Sequence, residues 1–291
     1  MEEKYAKVNR IKCLFMRDKL RSISSSLFVL ALQGFLCQTQ AANPYTWSGG
    51  NSSATVDYLN GGGMTAWNVD GNNQLEKQWF YYRMNTNSGA FSGVETISAS
   101  PLVSTPSGRL QVSYFNGSSS LYLRTLFQLT GNTAGSGISG MNETITVTNG
   151  STSSMDIDFI QYQRFTLNDS SGNEKVSIES GSDGKPFNAW QTNSLGAYVN
   201  VGITSPGGAD IFQASTDHLT YNAMLLPTFT HLTPNSSASG DVTFAYEWMF
   251  TLAPGGSKQI SILKAIVPEP SALALIGLGL GIWGVRRRRQ N

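Results

Sequence analysis

Asp156 and Asp158 stand two apart in a stretch that alternates polar and apolar residues, so both carboxylates fall on one face of a strand. Paired carboxylates are what glycoside hydrolysis needs, one as acid and the other as base or nucleophile. The plainer expectation is that these two line the solvated side of a hairpin. His218 and His231 are thirteen residues apart and lack the i, i+4 spacing that sets two metal ligands on one helix face. Both read as surface or loop residues. Asn68, Asp70 and Asn72 offer oxygen ligands at alternate positions, as a calcium loop does, but without the Gly and Glu of an EF-hand at their offsets. Calcium at these three residues is the one cofactor the sequence offers. No serine sits in GxSxG, so there is no nucleophile elbow. Gly61-Gly62-Gly63 lacks the lysine and spacing of a phosphate loop. With no catalytic motif, the expectation is a protein that is not an enzyme.

Trp67, Trp79, Tyr81, Tyr82, Trp190 and Trp248 invite sugar binding, since pyranose faces stack on exposed rings. Trp248 is in phase with apolar neighbours, and Trp79 and Tyr81 share a strand face, so core packing is the default for these rings. The two cysteines, Cys13 and Cys37, lie in the first 42 residues. That leaves the rest of the chain without disulfides, Cys-ligated zinc or thiol catalysis. Residues 43–267 hold 9 Lys/Arg and 15 Asp/Glu, a net charge of −6. An acidic surface excludes nucleic acid as a partner. Charged residues make up 13% of the chain, about half the share usual in soluble domains. Gly, Ser, Thr and Asn replace them, as in a turn-rich exported β protein.

The elements that must position these residues are strands. Val242, Phe244, Tyr246, Trp248, Phe250 and Leu252 fall in phase and predict a half-buried strand over 241–252. Pro254-Gly255-Gly256-Ser257 then turns the chain into 259–266, a hairpin. A second hairpin joins 110–115 to 121–129, and a third joins 144–148 to 155–165 through Asn149-Gly150-Ser151. In the last arm Met155, Ile157 and Phe159 are in phase, then Ile160 and Tyr162 change face, which predicts a β-bulge. Residues 78–84, 175–179 and 198–204 add strands. Eight or more short strands predict an all-β fold: one antiparallel β-sandwich or jelly-roll-like ectodomain over 43–266.

Both ends read as processing segments. Residues 1–42 form a secretory signal: Arg17, Lys19 and Arg21, an apolar run over 23–36, then small residues before cleavage after Ala41 or Ala42. Met16 reads as the true start, which gives a leader of conventional length. Phe35 and Leu36 before Cys37 do not make a lipobox. Signal peptidase and the Sec machinery are the implied partners. At the other end, residues 272–285 carry no charge. As a helix they span about 21 Å against a hydrocarbon core of about 30 Å, a short transmembrane helix. Arg286, Arg287, Arg288 and Arg289 stay cytoplasmic by the positive-inside rule, which leaves the domain outside. Pro268 and Pro270 keep their neighbours extended and make a stiff stem.

Val267-Pro268-Glu269-Pro270, the apolar run 272–285 and the arginines 286–289 resemble, in order and spacing, the PEP-CTERM sorting signal of Gram-negative bacteria. The same tail is also known as an ice-binding protein C-terminal domain, a label that describes the tail alone. The resemblance covers residues 267–291 and implies recognition by an exosortase. It further implies brief anchoring in the inner membrane, removal of the tail, and transfer to the cell surface or exopolysaccharide matrix. Residues 246–255 are similar to the closing hairpin of β-rich ectodomains with this tail, a likeness that implies no activity. Two roles follow for the ectodomain. One is a structural or binding protein of the envelope or biofilm matrix. The alternative is a carbohydrate-binding or carbohydrate-active surface protein, which a groove with exposed rings and two carboxylates would favour.

Overall fold

The computed structural model describes residues 42–268, except 87, 170 and 171. The leader, Glu269, Pro270, the 272–285 run and Arg286–Arg289 lie outside the described residues. Among the described residues no helix is long and apolar enough to cross a membrane.

The chain opens with β1 (Tyr45–Gly49), β2 (Ser52–Asp57), β3 (Gly63–Val69), β4 (Asn72–Asn73), β5 (Leu75–Met84) and β6 (Ser92–Gly93). Then come β7 (Leu102–Ser104), β8 (Arg109–Asn116), β9 (Leu121–Gly131), β10 (Ser139–Asn149), β11 (Met155–Phe165) and β12 (Glu174–Ser180). After β13 (Pro186–Thr192), β14 (Tyr198–Ile203) and β15 (Ile211–Thr216) comes one short helix, α1 (Leu219–Met224). The chain ends in β16 (Ser237–Gly240), β17 (Val242–Leu252) and β18 (Ser257–Val267).

These strands form two nine-stranded antiparallel sheets. The first runs β1-β2-β3-β5-β11-β17-β15, with β4 beside β3 and β6 beside β5. The second runs β16-β12-β13-β14-β18-β10-β9-β8-β7. Alternation dictates how they pack. Leu121, Leu123, Phe127 and Leu129 of β9 and Ile260, Ile262 and Ile266 of β18 are buried, while Tyr122, Arg124, Gln259 and Leu263 face solvent. From the first sheet Phe80 reaches across to stack on Phe127 at 6.0 Å, and it lies 5.8 Å from Phe159 of its own sheet. Such aromatic contacts fill the space between the layers.

The sandwich matches the expected fold class, and the hairpin over β8 and β9 forms as expected. Five expectations are corrected. The 144–165 hairpin does not exist, because β10 pairs with β9 and β18 while β11 pairs with β5 and β17 of the opposite sheet. Residues 241–266 likewise cross from β17 in the first sheet to β18 in the second. The polar turns look the same in sequence whether the chain folds back or crosses over. Asn149 secures this corner, its Nδ2 donating to the carbonyls of Ser153 and Leu252 at 2.7 and 2.9 Å. There is no bulge at Ile160: the β11–β17 register is unbroken from Met155 to Gln163. Ile160 and Tyr162 are apolar because their side of the sheet is also covered. For the same reason β17 is not half-buried: Thr243, Ala245 and Glu247 on its second face have no exposure. Finally, two nine-stranded sheets exceed the eight strands of a jelly roll.

β18 leads straight into the tail. Val267 still pairs with Tyr198, and Pro268 lies on Gly137. Gly137 sits at φ +66, and a Cβ there would meet Pro268 at 2.6 Å, so only glycine lets the stem leave at this point.

Candidate functional site

The two outer faces of the sandwich differ: the first sheet is roofed and the second is open. Residues 217–235, including α1, lie over β5, β11 and β17. Tyr221 packs against Tyr81 and Tyr162 with ring centres 6.0 and 5.5 Å away, and the Lys77 ammonium lies 4.4 Å from its ring centre. At the rim of this roof the register puts Arg83 opposite Asp158, and Glu247 opposite the neighbouring Ile160.

Arg83 uses all five of its N–H groups. Nε and Nη2 donate to Asp158 Oδ2 at 3.1 and 2.5 Å, Nη1 to the carbonyls of Gly89 and Phe229, and Nη2 also to that of Thr230. One buried guanidinium thus ties two strands to two loops. His231 Nδ1 lies 2.9 Å from Glu247 Oε1, and the Leu232 N–H donates to Glu247 Oε2 at 2.8 Å. Burial pushes the Glu247 carboxyl above its ordinary value, against the hydrogen bonds from His231 and Leu232. The His231 side chain is 34% exposed. The arrangement is a buried carboxylate joined to a solvent-reaching imidazole.

The open face is built by alternation alone. Two aromatic pairs stand on it, at opposite corners. Phe115 and Tyr122, directly opposed on β8 and β9, stack at 4.2 Å and are 46% and 45% exposed. A groove of about 450 Å³ lies beside Tyr122, lined by Ser113, Arg124, Thr146 and Thr148. At the other corner Trp190, 36% exposed, lies 5.4 Å from Tyr198. Next to it Asn200 Nδ2 donates to Asn188 Oδ1 at 2.7 Å, and Asn188 Nδ2 to Glu179 Oε2 at 2.9 Å. Rings that offer a flat apolar surface beside hydroxyls, amides and a guanidinium match a sugar, which has C–H faces and hydroxyl edges.

The residues singled out from sequence are dispersed. Trp67, Trp79, Tyr81, Tyr82 and Trp248 are core residues, and of the six rings considered Trp190 alone is exposed. Asp156 accepts from Thr251 Oγ1, whereas Asp158 is bound to Arg83 and is not a solvated acid. His218 contacts Arg164, which also pairs with Glu76 and Asp241. Of the calcium candidates Asn68, Asp70 and Asn72, the first two make side-chain hydrogen bonds. Asn68 donates to Ser53, and both Asp70 oxygens accept N–H donors, from Gly135 at 2.6 Å and from Gly137 and Asn51 at 2.7 and 2.9 Å. Asp70 clasps a loop, and its carboxyl is held below the ordinary value by those hydrogen bonds. Of the sorting motif, only Pro268 falls among the described residues. Phe115, Tyr122, Arg83 and Glu247 were missed. Tyr122 had a signal, because it is out of phase with Leu121 and Leu123.

A family model of the PEP-CTERM protein-sorting motif matches residues 267–289. No family model assigns the sandwich, and no curated protein matches the chain in sequence. Solved structures match in fold. A bacterial glucoamylase complexed with acarbose aligns with a TM-score of 0.55 at 8% identity, over 83% of this chain and 35% of that one. A galactose mutarotase-like protein from Lactobacillus casei gives 0.51 at 11% identity, over 76% of this chain and 99% of its own. A galactose mutarotase related enzyme from Lactobacillus acidophilus gives 0.50 at 9%, over 77% and 97%. The chain thus spans about a third of the glucoamylase's length and nearly all of the two mutarotase-like chains. At such identities the likeness shows the fold. The chain therefore carries a PEP-CTERM sorting motif, which implies export and exosortase processing, after an all-β sandwich whose fold is like that of the mutarotase-like structures.

Proposed function

We propose that this exported protein binds polysaccharide at the cell surface or in the extracellular matrix, through the open face of its second sheet, and does not turn it over. The observation that carries this reading is the exposed Phe115–Tyr122 stack beside a groove lined by Arg124, Thr146 and Thr148. The second aromatic pair supports a polymer as ligand. Trp190 is level with Thr130 through Asn200, Ala265 and Gly140, four strands across and eight residues from Tyr122. At ordinary strand spacing and rise that separation is roughly 30 Å, the reach of a chain of several sugars. The absence of turnover is supported by the groove beside Tyr122, whose lining includes no carboxylate, whereas a glycosidase needs two. The sugar-handling proteins that share the fold agree with the ligand class without establishing it.

Affinity electrophoresis through gels cast with the producing organism's exopolysaccharide tests the reading. The wild type is retarded, and Tyr122→Ala weakens binding about tenfold, the scale of one aromatic contact. Trp190→Ala weakens it further in the same gel. Equal mobility of wild type and double variant would refute the assigned face. Release of reducing sugar by the wild type would refute the absence of turnover.

A further inference from the structure

The roofed face holds a constellation that polysaccharide binding does not use. Asp158 of β11, Glu247 of β17 and His231 of the roof each present a ligand atom, and the three atoms lie within 4.8 Å of one another. Two elements of the sheet and one loop therefore converge on one point. Their hydrogen bonds fix them there. Arg83 holds Asp158 through Oδ2 alone, and Oδ1 takes part in no hydrogen bond among the described residues. Glu247 Oε2 is held by the Leu232 N–H, which leaves Oε1 to face His231 Nδ1 at 2.9 Å. Arg83 also grips the carbonyls of Phe229 and Thr230, so the loop that carries His231 is pinned on both sides. Each residue thus offers one ligand atom to the cluster, with Asp158 and Glu247 each held through an oxygen by Arg83 or Leu232.

The charge at this point is unbalanced. Two carboxylates lie together here beside one guanidinium, and every donor of that guanidinium is already engaged. Glu247 has no exposure to water that could offset its charge. A cation at the point of convergence restores the balance. One imidazole nitrogen and two carboxylate oxygens are the donor set of zinc and its first-row neighbours, with a position left for solvent. Ligand atoms about 2.1 Å from a tetrahedral ion stand about 3.4 Å apart. The His231–Glu247 pair needs to open by only about half an ångström to reach that spacing.

We propose that Asp158, His231 and Glu247 bind one divalent transition-metal ion, which clips the roof to strands β11 and β17. This site is separate from the open face, and neither result depends on the other. The test uses the full chain, purified in detergent, stripped with chelator and titrated with ZnCl2 by calorimetry, with metal content checked by mass spectrometry. One equivalent of Zn2+ binds the wild type, His231→Ala lowers the affinity at least about tenfold, and His218→Ala leaves it unchanged. Co2+ provides a readout that needs no variant. Intense visible bands of a four- or five-coordinate centre support the site, and the weak spectrum of the aquo ion alone refutes it. Failure of the wild type to take up stoichiometric Zn2+ overturns the proposal, as does a His231→Ala chain that binds like the wild type. In that outcome the imidazole and Glu247 form an ion pair only.

Discussion

Lys264→Met probes the charge that the sandwich carries in its core. Lys264 and Glu143 are fully buried between the sheets, with Nζ 2.8 Å from Oε1. Glu143 Oε2 accepts from Gln161 Nε2 at 2.7 Å and from Gln78 Nε2 at 3.5 Å. Burial raises the Glu143 carboxyl and lowers the Lys264 ammonium, and in each case the partner's charge opposes the shift. Each ion is tolerated because the other is there. Without Lys264 the carboxylate stands alone, at a cost of about 3–5 kcal/mol from a total stability of about 5–15 kcal/mol. With a urea slope of about 3 kcal/mol/M for a domain of this size, the unfolding midpoint falls by about 1 to 1.7 M. The loss depends on pH. The Glu143 carboxyl titrates above its unfolded value, so between the two values the folded state binds the extra proton. Stability therefore recovers as pH falls toward 4.5 and is lowest in the alkaline range. The double variant Glu143→Gln/Lys264→Met separates charge from shape. Its glutamine still accepts from Gln161, and its N–H groups have the neighbouring Gln78 amide, whose Oε1 is buried without a partner. It should unfold within about 1 kcal/mol of the wild type. A single variant that loses under about 1 kcal/mol, or a double variant as weak as the single, refutes the reasoning.

Glu174 gives a second pH signature. Burial pushes its carboxyl up to about 7, against the hydrogen bond from the Leu167 N–H, so ionisation opposes folding and stability rises as pH drops through 7 toward 4.5. Glu174→Gln should flatten the urea midpoint between pH 5 and 8 and add about 2–3 kcal/mol at pH 8; an unchanged pH slope would count against it. Arg83→Lys leaves three donors at a point where five were arranged in a fork. It should cost about 3 kcal/mol and speed hydrogen exchange in residues 225–235 but not in β8–β10, and uniform protection would contradict the anchoring role.

Much of the fold is legible as alternation. Leu110, Val112 and Tyr114 against Leu121, Leu123 and Phe127 give a hairpin because only one of its faces is buried. Strands β11 and β17 misled for the opposite reason. One side of each faces the other sheet and the second lies under the roof, so apolar residues occupy both phases. Sheet membership is not written in the turns: Asn149 is a turn residue in sequence and a bracket between the sheets in space. At the candidate sites, Tyr122 and Trp190 are readable as rings out of phase with the core. The charged residues are signals without an address. Arg83 in Phe80-Tyr81-Tyr82-Arg83 and Glu247 in Tyr246-Glu247-Trp248 must find partners because their neighbours are buried. Those partners lie far away in sequence: Asp158 is 75 residues from Arg83, and His231 arrives on a loop. Long-range register, which pattern cannot supply, brings them together.

The PEP-CTERM motif at residues 267–289 implies that this protein is exported and processed by an exosortase. β18 holds its register up to Val267, so processing beyond the stem leaves the sheet intact. The direct measurement is the intact mass of the protein recovered from the surface and matrix fractions, for wild type and for a chain with Pro268, Glu269 and Pro270 changed to alanine. The expected result is a wild-type chain that lacks Arg286–Arg289 and the leader up to Ala41 or Ala42, and a variant that stays in the membrane fraction with its arginines in place. Recovery of wild type and variant alike at the surface with the full tail would contradict it.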